Sequence, residues 1–243
     1  MRLKGDGMSL RVPRWVRRTG LAVIGAAAVG VVVGRTVDFK GWVQGQLAVP
    51  HGVSGWLAAL TMPMAHKAFY APAADLLDLQ PGDELVEVAC GSGVFLDQHA
   101  RHVKHLCGLD LSDIQVRLAQ RRLADMIAAG TAEIVRGDAV ALPWADDSFS
   151  AATCMGSMEA FSDPVAALHE MWRVLRPGGR VVVSYGFDPE AEDFAAETAS
   201  WGIPNPSEEE VRKAVDDAGF SGISFPYISG DYPARFVSAE KPD

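Results

Sequence analysis

Cysteine is scarce in this 243-residue chain, and the three present, Cys90, Cys107 and Cys154, stand at wide, irregular spacing. They form neither a disulfide framework nor a zinc-ligand pattern, so free thiols in a reducing compartment are expected. Basic side chains are outnumbered by acids after the first forty residues. Residues 1–40 hold eight basic side chains against Asp6 and Asp38, a net of +6. The whole chain is −9, which leaves −15 for residues 41–243. A body of that sign repels phosphate backbones, which counts against nucleic acid as a partner. No charge interrupts residues 20–34, yet this apolar run is short. As a helix it spans about 22 Å, against roughly 30 Å of hydrocarbon in a bilayer.

That head (residues 1–40) admits several readings. A basic stretch with Trp15 precedes the apolar run, as in a membrane-surface segment, a short anchor or a secretory signal. A helix docked on the domain is the fourth. Peripheral or re-entrant membrane association through residues 11–35, or a docked helix, is preferred, because a span with its basic end inside would export the body. The expected location is cytoplasmic with membrane association. Residues 41–67 form a connecting and lid region, punctuated by Gly41, Gly45, Pro50, Gly52, Gly55 and Pro63. Within it, residues 53–70 predict a helix broken at Pro63.

From residue 68 onward, strand and helix patterns alternate. A helix is expected over 73–79 and a buried strand over 84–89. Helix 94–102, strand 104–110, helix 114–129 and strand 132–136 follow. Strand 150–155, helix 165–175 and strand 180–185 complete five rounds. A turn, Arg176-Pro177-Gly178-Gly179, is expected between the last helix and strand. This order predicts an α/β, doubly wound parallel sheet with helices on both faces. A capping-box helix from Ser207 and a terminal hairpin make the final strand antiparallel.

The chemistry concentrates on Glu84-Leu85-Val86-Glu87-Val88-Ala89-Cys90-Gly91-Ser92-Gly93, a strand running into a glycine turn. Bare backbone there lets a ligand lie close. Three acids end three successive strands: Glu87, Asp110 and Asp138. Asp110 lies 23 residues after Glu87, where an acid that grips ribose hydroxyls would sit. In an open α/β sheet the strand ends face the ligand crevice.

With LQPGDELVEVACGSG (79–93), GLDLS (108–112), GDAVALPWADDSFS (137–150), HEMWRVLRPGGRVVVS (169–184) and EEEVRKAVDDAGF (208–220), residues 68–240 resemble the class I S-adenosylmethionine-dependent methyltransferases. The similarity is to the small-molecule group related to ubiquinone and menaquinone biosynthesis enzymes. It implies a Rossmann-like, three-layer αβα domain over 68–243, with seven strands and the last antiparallel. It implies S-adenosylmethionine as cofactor and a small, apolar or lipid-like acceptor. Glu87, Ala89, Cys90, Gly91 and Gly93 would line the amino-acid part of the cofactor. Asp110 would hold the ribose, Leu111 would pack beside the adenine, and Asp138 and Ala139 would border it. Met155 to Met158, just after the fourth strand, would border the methionine moiety. Tyr70, Met158, Glu159 and Tyr185 are the candidates for touching the acceptor. His169 is expected at the surface.

The chain departs from the family's pattern at Ala89, where glycine is usual, and this keeps open a non-catalytic, membrane-tethered cofactor-binding module. A nicotinamide-dependent oxidoreductase is the other rival. Its G-x-G-x-x-G fingerprint, in the register of Ala89 and Gly91, needs glycine at 94, where Val94 stands. Catalytic residues stay unassigned and no metal is expected. Methyl transfer chiefly demands alignment, and needs a base only where the acceptor must lose a proton.

Overall fold

The computed structural model describes residues 45, 49–186, 204–228 and 234–243. The apolar run 20–34, with all its readings, and most of the acidic stretch after Tyr185 lie outside the described residues. Among the described residues no helix is long and apolar enough to cross a membrane.

The chain enters through helix α1 (Gly52–Leu77) and turns into strand β1 (Glu84–Val88). Helix α2 (Val94–His99) leads to β2 (His105–Asp110), and α3 (Asp113–Arg122) with α4 (Ala124–Ala128) leads to β3 (Ala132–Arg136). Then come β4 (Phe149–Cys154), a 3-10 turn (Met158–Ala160), α5 (Pro164–Val174) and β5 (Leu175–Tyr185). Helix α6 (Glu208–Asp217) precedes β6 (Ser221–Ser224), β7 (Tyr227–Ile228) and β8 (Ala234–Glu240). The sheet order is β3-β2-β1-β4-β5-β8-β6, with β7 also on β8. Strands β1 to β5 are parallel and β8 runs antiparallel to its neighbours. The doubly wound expectation is therefore met.

Four local expectations need correction. Helix α1 runs unbroken through Pro63 and absorbs the helix predicted at 73–79, so the 67/68 boundary falls inside it. A proline removes one bond of the ladder, and the turns on either side still close theirs. The helix predicted over 114–129 divides at Leu123, whose backbone leaves the helical region. The turn at 176–179 is instead part of β5, with the register slipping between Phe149 and Ala151. The sheet holds eight strands because Phe225-Pro226 splits the edge opposite β8. Pro226 has no N–H for the ladder, though its carbonyl accepts from Phe236 at 2.9 Å. The two fragments share one strand position, which leaves seven positions across the sheet.

Side-chain alternation distributes the core over the two faces. Val86, Val88, Cys107 and Leu109 pack under α5 and α6 with Leu168, Met171 and Val215. Leu85, Leu106 and Ile134 pack on the other face with Leu77, Phe95, Val116 and Leu123. Caps set the helix starts: Ser112 for α3, Asp163 for α5, and the full Ser207–Glu210 capping box for α6.

Arg180 fastens the amino-terminal edge of the sheet. Its Nε donates to the Leu77 carbonyl at 2.6 Å and one terminal nitrogen to Asp83 at 2.5 Å. Ser150 Oγ donates to the same carboxylate at 2.6 Å. The end of α1, the turn into β1, β4 and β5 are thus tied at one buried acid.

Candidate active site

At the opposite edge the carboxyl ends of β1, β2, β3 and β4 open onto a cavity of about 210 Å3. Strand β1 delivers Glu87 to it. By alternation Glu87 shares the face of Leu85, and it is 3% exposed. Its Oε2 has no hydrogen-bond partner among the described residues. Burial first, and the negative charge of Asp110 second, push its carboxyl well above the usual carboxylate range.

Beyond Val88 the chain makes its turn. Ala89, Gly91 and Gly93 all take left-handed angles, with φ of 57°, 54° and 71°. Ala89 therefore adopts the conformation that its side chain disfavours, and the turn keeps its shape. The two glycines do different work. A Cβ at Gly91 would meet only the Gln115 side chain, at 3.9 Å, so the backbone there lies open to the cavity. A Cβ at Gly93 would strike Ala119 Cβ at 3.0 Å, so this glycine lets α2 close on α3. Gly93 caps α2 and stands outside the cavity lining.

Replacing Ala89 by glycine removes about 1–2 kcal/mol of left-handed cost and adds about 0.5–1 kcal/mol of chain entropy. The Gly variant is expected to be at least as stable as the parent in urea titration. Ala89→Val, branched at the same angle, is expected to lose about 2 kcal/mol or more.

Asp110 ends β2 and reaches across to the turn. Its Oδ2 accepts the Gly91 N–H at 2.9 Å and its Oδ1 accepts the Ser112 N–H at 2.8 Å. The acid thus braces the glycine turn and the start of α3 together. Burial is the largest influence on it and raises its carboxyl, against the lowering pull of those backbone donors. Each oxygen keeps a lone pair for a further donor. Asp138, after β3, is exposed at the rim and accepts the Val140 N–H at 3.2 Å. Leu111 and Ala139 form the walls between these two acids, and Met155 closes the end of β4.

Nine of the ten residues singled out for the cofactor thus meet in one cavity: Glu87, Ala89, Cys90, Gly91, Asp110, Leu111, Asp138, Ala139 and Met155. Tyr70 from α1 joins them. Burial, chiefly, raises its hydroxyl far above the tyrosine range. Met158, Glu159 and Tyr185 lie elsewhere, on a neighbouring cavity. His169 is exposed, as expected.

Sequence reasoning missed several lining residues. Val49 and Pro50 reach the cavity from the connecting region, held there by Ser112 Oγ donating to the Pro50 carbonyl at 2.7 Å. The glycine and proline punctuation flagged that region without marking either residue. Gln115 comes from α3, and Phe161 and Ser162 from the loop after β4, where Gly156 and Ser157 of the expected 155–158 stretch also line the cavity. Buried Ser92 also lines the cavity, with its hydroxyl unpartnered among the described residues. None of the described lining residues is basic. Such a cavity suits a ligand with positive charge, hydroxyls and an amino group, and it offers no cation to a pyrophosphate.

Comparison with known proteins agrees with this chemistry. A family model described as a methyltransferase domain matches residues 86–183. A demethylmenaquinone methyltransferase of Beutenbergia cavernae is 30% identical over 199 residues, covering 68% of this chain and 79% of that protein. Among solved structures, the putative methyltransferase in complex with the Haloferax volcanii Trm112 activator superposes with a TM-score of 0.65 at 20% identity. The match covers 78% of this chain and 95% of that one. The N-methyltransferase NodS of Bradyrhizobium japonicum, solved in complex with S-adenosyl-L-homocysteine, gives a TM-score of 0.61 at 17% identity. It covers 74% of this chain and 88% of that one.

Proposed function

Since this chain belongs to the class I S-adenosylmethionine-dependent methyltransferases, related to those of quinone biosynthesis, we propose that it methylates a small, apolar, quinone-like acceptor. The observation that carries the cofactor's placement is Glu87. A fully buried carboxylate with an unpartnered oxygen, facing an acidic cavity, is costly unless a ligand supplies a donor. In this reading Glu87 takes the cofactor's ammonium group, and Ala89, Cys90 and Gly91 lie along its amino-acid part. Asp110 accepts from the ribose hydroxyls with its remaining lone pairs. Leu111 and Ala139 enclose the adenine, and Asp138 faces the adenine's amino group.

When bound, S-adenosylmethionine supplies a methyl group already activated by its sulfonium. What remains for the protein is to align the acceptor and keep water out. Met155, Phe161 and Pro50 give the cavity a wall of apolar side chains. The apolar acceptor is supported by that wall and by the activity named for the relative from Beutenbergia cavernae. The basic head gives a further reason, since contact with a membrane surface through residues 11–35 would bring a lipid-like acceptor within reach.

Calorimetric titration of the full chain with S-adenosylmethionine tests the reading. Saturable heat is expected, and NADH should give none. Glu87 adds a signature. Its carboxyl is raised in the free protein, and a bound ammonium lowers it, so binding releases a proton. Affinity should therefore rise with pH from the ordinary carboxylate range up to the raised value. Buffers of differing ionisation enthalpy read the proton directly, and Glu87→Gln should abolish it. Methyl transfer from labelled cofactor to a prenylated hydroquinone then tests the acceptor class. Absence of cofactor heat would refute the placement, and absence of transfer to any quinone-like acceptor would refute the substrate.

A further inference from the structure

Beside the cofactor cavity lies a second one, of about 250 Å3, that nothing above employs. Leu168 from α5, Val183 from β5, Val237 from β8, and Val211 and Ala214 from α6 form its walls. The lining is almost wholly apolar, with two carboxylates. Glu210 is committed to its capping box, where it accepts from the Ser207 N–H and hydroxyl. Among the described residues Glu159 has no such engagement with a side chain. Its Oε1 accepts the Gly186 N–H, and its own backbone N–H is the other donor nearby. Burial raises its carboxyl above the usual range. The charge of Arg235 lowers it, and that side chain is engaged elsewhere through one terminal nitrogen, with its Nε unpartnered among the described residues. Its guanidinium lies 4.7 Å from the Tyr185 ring centre and donates to Asn205 at 2.6 Å and to the Pro206 carbonyl at 2.9 Å.

The two cavities meet at Phe161, which lines both. The 3-10 turn Met158–Ala160 is the partition. Ser157 and Ala160 face the first cavity, and Met158 and Glu159 face the second. A group seated in the second cavity therefore lies one side chain away from the first.

The wall chemistry selects among occupants. An anion would be repelled by Glu159. A plain hydrocarbon would bury that carboxylate with no new donor to replace lost water. A charged amine would pair with Glu159 but would have to shed its water against walls that are otherwise apolar. A ring with one hydroxyl matches both features, burying apolar area against the valines and giving Glu159 a donor.

We propose that the second cavity seats the acceptor as an apolar aromatic ring bearing a hydroxyl, with Glu159 accepting the hydroxyl's hydrogen bond and Phe161 forming the passage to the cofactor cavity. This assignment rests on the methyltransferase reading and names the place of its substrate.

The test uses the full chain and 2-naphthol, with naphthalene as the same ring without a hydroxyl. Binding is followed by ligand fluorescence, alone and with saturating S-adenosylmethionine. The parent protein should bind 2-naphthol in both conditions and prefer it to naphthalene about tenfold. Glu159→Ala should erase that preference. Val211→Phe, which fills the cavity from α6, should weaken both ligands about tenfold or more, with the heat of S-adenosylmethionine binding retained. Ala214→Phe serves the same purpose if Val211→Phe fails to fold. Displacement of 2-naphthol by the cofactor would place it in the first cavity and overturn the proposal. So would parental 2-naphthol binding in either folded Phe variant. Failure with naphthol while cofactor heat persists overturns only this assignment, whereas a silent cofactor titration overturns the function beneath it as well.

Discussion

Arg180→Ala is expected to destabilise the protein by about 3 kcal/mol, as a shift of the urea midpoint at unchanged slope. The guanidinium bridges Leu77, Asp78 and Asp83, which belong to the end of α1 and the turn into β1. Asp83 is 5% exposed, so removal of the arginine leaves a buried charge held only by Ser150 and the Gln80 N–H. The arginine side chain is itself partly exposed, which keeps the effect at the low end of the range for buried pairs. The pH dependence gives the second readout. Burial, the largest influence on Asp83, pushes its carboxyl up. The hydrogen bonds from Arg180, Ser150 and Gln80 together outweigh that and hold it below the usual range. A lowered carboxyl contributes stability that is present above its unfolded value and is lost as pH falls through the folded one. The gap between parent and variant should therefore narrow in acid. A gap that stays constant from neutral pH to below the carboxylate range would disprove the account.

Asp110→Ala is expected to weaken S-adenosylmethionine binding about 10- to 100-fold, equivalent to about 1–3 kcal/mol. In the proposed role the residue gives up charge-assisted bonds to the ribose hydroxyls. It also gives up the acceptors of the Gly91 and Ser112 N–H groups, so the turn loses its brace and stability falls by a similar amount. The two losses can be separated. Asp110→Asn keeps the shape and one oxygen acceptor but not the charge. It should retain more of the stability than of the affinity. Parallel calorimetric and urea titrations measure both. Unchanged affinity in a folded Asp110→Ala protein would rule out the ribose role and leave only the brace.

The site was legible in the sequence because its residues follow strand ends. Glu87, Asp110 and Asp138 stand at or just beyond the carboxyl ends of β1, β2 and β3, and parallel strands bring such ends to one edge of the sheet. The lining from β1 to β4 follows from that rule. The rule has no hold on residues that reach the cavity from outside the strand-turn pattern. Pro50 arrives by one hydrogen bond from Ser112, a contact 62 residues away in the chain. Gln115 comes in from the first turn of α3. The glycine turn misled in a different way. Gly91 and Gly93 look equivalent, yet one faces the ligand space and the other faces Ala119.

The sequence by itself determined the alternation of strands and helices, the doubly wound sheet, the place of its crevice and many of the residues around it. These follow from local periodicity, glycine and proline punctuation, and the carboxylates at strand ends. Only the tertiary structure decided that Ala89 takes the left-handed angle, that α1 runs on through Pro63, and that Met158, Glu159 and Tyr185 line a separate cavity. The reason is the same in each case. Local preference at these positions is worth about 1–3 kcal/mol, and packing across the sheet, which chain spacing does not encode, outweighs it.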